Sequence, residues 1–384
     1  MSNTTFQKKA KEFTESTPYK KGEFSSRNWG HSWHSLCSYQ GKLKPSIAYM
    51  LIHTFTKKGE TILDPLCGVG TIPFEACLNG RIGIGNDLSE LAFVVTNSKL
   101  NKPKYKEVLS ELNKLEKYIK ENKIDKLDYK EMNYFDWGYN GKLADYYHVD
   151  TFQEILLARR YFKERFESNK NNSSFTLLMA AVLHVLHGNR PYALSRRSHP
   201  LTPYFPSGEF EYKNVILHAK NKIDRTFKNK NFTNYLNGET YNLDYTKLPD
   251  VINNVDWIIT SPPFTNSIRF YINNWLRLWF VGWEPEDFKQ ADNMFLDGLQ
   301  EKDISVYESF FKMAYEVLKP NGKMILHLGR SKKSNMGVEL TEFAKKFFKV
   351  EYLGEENVTD LEKHGIKDKG GTISHQYLFL TKKN

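Results

Sequence analysis

The residues Thr260-Ser261-Pro262-Pro263-Phe264 close the apolar run Val255 to Ile259. A Pro-Pro pair donates no backbone hydrogen bond and cannot continue a central strand, so the pattern reads as a strand that stops at a stiff loop. These residue types suit the activation of a planar amine. The lone pair of such an amine is delocalised into its ring, and hydrogen-bond acceptors that take its hydrogens localise that pair toward an electrophile. The Ser261 hydroxyl and the Pro262 carbonyl supply two acceptors, and Phe264 supplies a flat face for a base drawn out of its stack. Ser261, Pro262, Pro263 and Phe264 are therefore the candidate catalytic residues.

A second candidate is the loop Asp-Pro-Leu-Cys-Gly-Val-Gly-Thr at 64–71. It lies between a short apolar strand (61–64) and a helix opened by Pro73, and Gly68 and Gly70 let backbone approach a ligand. A dinucleotide fingerprint would need glycine at position 73, where the chain has Pro73. An acid ahead of the loop suits a cationic cofactor with ribose hydroxyls, such as S-adenosylmethionine, better than a pyrophosphate. Asp87, closing the next strand, is placed for a ribose diol. Asp244 closes a later strand. The plain alternative for each acid is a cap on the following turn.

Strand candidates at 81–85, 238–243, 255–259, 323–328, 350–353 and 375–381 alternate with helix candidates at 45–55, 71–79, 89–99, 305–318 and 338–348. That alternation predicts a mostly parallel sheet with helices on both faces, with ligands at the carboxyl ends of the strands. Residues 1–33 read as a polar arm. The alternation lapses over 101–236, where apolar helices at 151–166 and 175–187 stand among charged stretches, and this region reads as an insertion. Helical spacing over 273–280 predicts a packed helix.

The chain has 384 residues and 55 Lys and Arg against 45 Asp and Glu, a formal charge of +10 that favours a polyanionic partner. Arg190, Arg196, Arg197 and His199 cluster in the segment 188–200 and form the candidate nucleic-acid contact. Three cysteines without metal spacing predict neither disulfides nor a metal site, and Cys37, Cys67 and Cys77 read as core or loop residues. No signal core or membrane span is legible, so a cytoplasmic location is expected.

Taken together, these blocks resemble the amino-methyltransferases of restriction-modification systems, whose tetrapeptide is (Asp/Asn/Ser)-Pro-Pro-(Tyr/Phe). The serine form at 261–264 looks like the cytosine-N4 branch. The segment His34-Ser-Leu-Cys-Ser-Tyr-Gln-Gly-Lys-Leu-Lys-Pro45 resembles the block covering the cofactor's methionine end, and 318–326 looks like the late helix-turn-strand. Leu66 and Val69 depart from the family loop. The resemblance implies a Rossmann-like α/β class I fold with a seven-stranded sheet. The catalytic domain would comprise 34–100 and 237–384, with a target-recognition region at 101–236. Tyr39, Lys42, Pro45, Asp64, Pro65, Gly68, Gly70, Thr71, Asp87 and Asp244 would hold S-adenosylmethionine. The implied activity is methylation of cytosine N4 in double-stranded DNA, with a separately encoded restriction endonuclease as partner. The alternatives are adenine N6 in DNA, guanine N2 in RNA, or a nucleic-acid-binding protein with an inactive sheet.

Overall fold

The computed structural model describes residues 3–384 apart from 27, 40, 125–137, 139–140, 189–191, 198–204, 230, 266, 268, 358–361, 364–365 and 368–371. Its main sheet has seven strands: β1 (Thr61–Asp64), β2 (Ile82–Asn86), β3 (Glu239–Tyr241), β4 (Val255–Thr260), β5 (Leu318–Ser331), β6 (Phe348–Asn357) and β7 (Thr372–Lys382). They lie in the order β3-β2-β1-β4-β5-β7-β6. β7 runs antiparallel to both its neighbours, and the other pairings are parallel. The chain order reverses at β1, which opens a crevice between the carboxyl ends of β1 and β4. This is the Rossmann-like α/β architecture, with the expected seven-stranded, mostly parallel sheet.

One face carries α1 (Asn3–Ser16) and α2 (Pro45–Phe55). Where the sequence reads as a polar arm, Phe6, Ala10 and Phe13 recur at helical spacing and are buried against Phe55, Trp257, Tyr377 and Phe379. Burying one such phenylalanine is worth roughly 1.5–3 kcal/mol, enough to fix a helix whose other side chains are mostly Lys, Glu and Thr. The opposite face packs the helices Val306–Val317 and Met336–Ala344 over Ile258, Met324 and Leu326.

The third core contains no strand residue. It joins α3 (Thr71–Leu78) and α4 (Glu90–Leu100) to four helices of residues 101–236 (Tyr105–Glu121, Val149–Asn169, Ser173–Val185 and Val215–Phe227) and to the helix Phe270–Val281. Two buried arginines tie residues 101–236 to that last helix. Arg159 Nε donates to the Trp279 carbonyl (2.8 Å), and Arg277 donates to the carbonyls of Leu183 and His187 (both 3.1 Å). The expected packed helix after the tetrapeptide is this keystone, with Trp275 and Trp279 fully buried.

Candidate active site

The glycine loop at 64–71 is held from behind by α4. Gly68 and Gly70 both have positive φ, 50° and 69°. A Cβ on Gly70 would lie 2.7 Å from Thr96 Oγ1, so only glycine fits between loop and helix. Thr96 donates to the Gly68 carbonyl (3.1 Å), and Lys99 places its Nζ 2.5 Å from the Val69 carbonyl. Lys99 has no exposed surface, and burial pushes it down to about 7. Thr71 then opens α3 and is itself buried, while Pro65 offers its carbonyl to Asn86 Nδ2 (3.1 Å).

Two carboxylates edge this loop. Asp87 accepts from the Gly68 and Ser89 amides (2.8 and 2.9 Å). Asp64, 3 % exposed, accepts from the Leu66 amide (3.3 Å) and faces Thr260, the last residue of β4. Neither acid has an ion-pair partner among the described residues. Burial therefore pushes Asp64 up to about 7 and Asp87 up to about 6. Tyr39 leans over the same spot: its ring would sit 3.5 Å from a Cβ at Gly68, and burial together with Asp87 and Asp297 raises its hydroxyl well above the usual tyrosine range. Lys42 instead points back, donating to the His34 carbonyl (2.8 Å), and Pro45 opens α2. Asp244 is exposed, and its carboxylate caps the turn Tyr245–Asp250 through Thr246 (2.9 Å), the plain alternative weighed for it.

Register sets the tetrapeptide beside that loop. β1 and β4 are neighbours, with Leu63 opposite Ile258, so Thr260 and Ser261 emerge at the same edge as Asp64. Ser261 Oγ lies 3.0 Å from His327 Nδ1. The Pro263 carbonyl is occupied by Gln300 Nε2 (3.1 Å), which the buried Tyr307 hydroxyl fixes in turn (2.9 Å), whereas no hydrogen bond among the described residues uses the Pro262 carbonyl. That leaves Ser261 Oγ and the Pro262 carbonyl as the acceptors on offer. Phe264, expected to offer a flat face to a base, already has ring neighbours. It is half-buried, with His327 and His375 at centroid distances of 5.5 and 5.9 Å, and the absent side chain of Gly329 makes room for its ring.

The sequence reading missed Asp297, on the helix Leu296–Lys302. It is 4 % exposed, its Oδ2 accepts from the Phe270 amide (3.1 Å), and its Oδ1 is buried without a partner among the described residues. Its field reaches both Asp87 and Tyr39. Asp64 and Asp87, buried without ion-pair partners among the described residues, fit a ligand that brings a cation and hydroxyls, as S-adenosylmethionine does. Affinity for that cofactor is expected to weaken about tenfold as pH falls from 8 to 5.5, because Asp64 and Asp87 lose their charge through about 7 and 6. Titration calorimetry at stepped pH checks this, and a flat profile removes both acids from cofactor binding.

Of the proposed nucleic-acid contacts, Arg190 and His199 lie outside the described residues. Arg196 is turned inward: it donates to the carbonyls of Asp145 (2.8 Å) and Gly208, and its guanidinium sits 4.1 Å from the centre of the Phe210 ring. These contacts give it a structural role. Arg197 is exposed. All three cysteines are free and buried. Among the described residues no His, Cys, Asp and Glu group could hold a metal, and no helix is long and apolar enough to cross a membrane.

Residues 33–133 match the profile of a family described as UPF0020, RMKL-like, methyltransferase domain. No curated protein matches the chain. Among solved structures, the chain is similar to TrmN from Thermus thermophilus (14% identity, TM-score 0.35), with 90% of this chain and 50% of that one covered. The chain thus spans half of TrmN's length. It is also similar to the rRNA methyltransferase AviRa from Streptomyces viridochromogenes (10%, 0.36, covering 94% and 93%). The putative RNA methyltransferase PH1948 from Pyrococcus horikoshii is a third (11%, 0.36, covering 97% and 98%).

Proposed function

We propose that this S-adenosylmethionine-dependent methyltransferase transfers a methyl group to the exocyclic amine of a nucleic-acid base. The observation that carries the reading is the juxtaposition of Ser261 and the Pro262 carbonyl with the crevice edged by Asp64, Asp87 and Gly68. S-adenosylmethionine supplies an electrophilic methyl group. Asp87, Asp64 and Tyr39 would hold it against the glycine loop, with Asp297 adding a third acid to that wall. The chain's own work is to cradle a neutral amine: Ser261 Oγ and the Pro262 carbonyl take its hydrogens, and the nitrogen lone pair is left directed at the methyl carbon. Gln300 keeps the loop from collapsing by holding the Pro263 carbonyl.

Two finer readings stand for the base. The match over 33–133 supports methyl transfer without naming the base, and guanine N2 in RNA is the first reading of the amine. The serine at the head of the tetrapeptide supports cytosine N4 in DNA, with which a restriction-modification setting and a cognate endonuclease belong. One experiment separates them. Purified protein, methyl-labelled cofactor and either DNA or RNA are incubated, and the digested nucleosides are analysed by mass spectrometry. Label in an N-methylated base is expected, N2-methylguanosine or N4-methyldeoxycytidine naming the reading. No labelled nucleoside from either polymer refutes the proposal.

The nucleic acid would approach past Arg197. Arg197→Ala is expected to weaken polymer binding about threefold to tenfold and to lower the salt slope by about one charge. Arg196→Ala should instead lower the melting temperature, because it strands the Asp145 and Gly208 carbonyls. Fluorescence anisotropy at two salt concentrations and a thermal melt tell the two arginines apart.

A further inference from the structure

Nothing in the tetrapeptide explains the histidine beside it. Thr260 pairs with Leu326 across the β4–β5 ladder, so the next residues, Ser261 and His327, come side by side through strand register. His327 is 4 % exposed, with Nδ1 3.0 Å from Ser261 Oγ. Its Nε2 is buried and has no hydrogen-bond partner among the described residues. The ring is walled by Phe264, by His375 at a centroid distance of 4.8 Å and by Tyr377 at 5.1 Å. An imidazole with half its polar capacity unused is costly to bury, and leucine would pack the same slot without that cost.

We propose that His327 is a positioning residue that orients Ser261 and then receives the proton the amine must shed, a role that rests on the methyl-transfer reading above. With Nδ1 as acceptor, the Ser261 O–H turns toward the imidazole, and the Oγ lone pairs are left facing the amine. As the nitrogen–methyl bond forms, the methyl–sulfur bond breaks with its pair remaining on sulfur, and the nitrogen becomes cationic. One N–H bond then breaks and its pair returns to nitrogen. That proton goes to Ser261 Oγ while the hydroxyl's own proton passes to His327 Nδ1. The proton then leaves by the way it came, from His327 Nδ1 through Ser261 Oγ to solvent as the methylated base departs, and the ring returns to its starting tautomer. Burial, and secondly His375, holds His327 well below the ordinary histidine range, so the ring starts neutral and does not retain the proton.

The test has a structural arm and a kinetic arm. In spectra of protein carrying 15N-labelled histidine, His327 Nδ1 is expected to be the unprotonated nitrogen and to shift on Ser261→Ala. In turnover assays, His327→Phe keeps the volume but removes both nitrogens, and His327→Asn restores an acceptor near Nδ1. His327→Phe is expected to lower kcat about tenfold, less than a full general base contributes because the amine proton is already acidic. Cofactor Kd and polymer KM should stay within twofold. His327→Asn should recover part of the loss, and Ser261→Ala/His327→Phe should be no slower than Ser261→Ala, as for two groups acting as one unit. A protonated Nδ1, an Nδ1 indifferent to Ser261→Ala, or a folded His327→Phe protein with unchanged kcat overturns the proposal. If His327→Phe fails to fold, the native spectrum and His327→Asn still decide. A native protein that methylates neither DNA nor RNA sinks the functional reading and the proton role with it, while the spectrum still decides the hydrogen bond.

Discussion

Ser261→Ala is expected to lower methyl transfer about a hundredfold while leaving cofactor affinity within twofold. The magnitude is that of losing one preorganised hydrogen-bonding group at a reacting atom. Among the described residues the hydroxyl's hydrogen bond goes to His327 and not to the groups edging the glycine loop. The loop itself is braced by Thr96, Lys99 and Asp87. The loss therefore belongs in kcat. Single-turnover rates with saturating cofactor, beside a calorimetric Kd, separate the two quantities. A Ser261→Ala protein of native rate would remove the hydroxyl from the mechanism, and one that no longer binds cofactor would make it a structural group.

Asp87→Ala is expected to fail in the opposite place, raising the cofactor Kd about a hundredfold. A hydrogen bond to a charged group contributes about 1.5–3 kcal/mol, and each tenfold in Kd is about 1.4 kcal/mol. Two hydroxyls held by one carboxylate therefore reach that figure. Asp87 also receives the Gly68 and Ser89 amides, so alanine loosens the loop as well as removing the acceptor. Asp87→Asn, which keeps one acceptor oxygen for an amide, should fall between the two. Calorimetry on the three proteins checks the order, and equal affinities would place the cofactor elsewhere.

What the sequence revealed and what it hid follow from the range of the interactions. The strand, loop and helix at 61–78 were legible because Asp64, the glycines and Pro73 each punctuate the chain locally. β4 was legible because two prolines end it. α1 escaped because its apolar residues, Phe6, Ala10 and Phe13, are diluted among lysines, glutamates and threonines, although their i, i+4, i+7 spacing was there to be counted. His327 escaped for a different reason: it becomes notable only when β4 and β5 pair and bring it to Ser261 across 66 residues. Asp297 sits on a short helix in a stretch the alternation left unassigned. Arg196 drew a nucleic-acid reading from its type and its neighbours, whereas the fold spends its guanidinium on carbonyls 12 and 51 residues away.

The helical layer formed by residues 101–236 shares its interior with α3, α4 and the helix Phe270–Val281, and Arg159 and Arg277 rivet those pieces together from both sides. A floor and wall cast in one piece cannot spread to admit a long polymer without tearing their own interior. On the nucleic-acid reading proposed above, the deformation on binding would then fall to the guest, whose base would swing out into a socket that is already shaped.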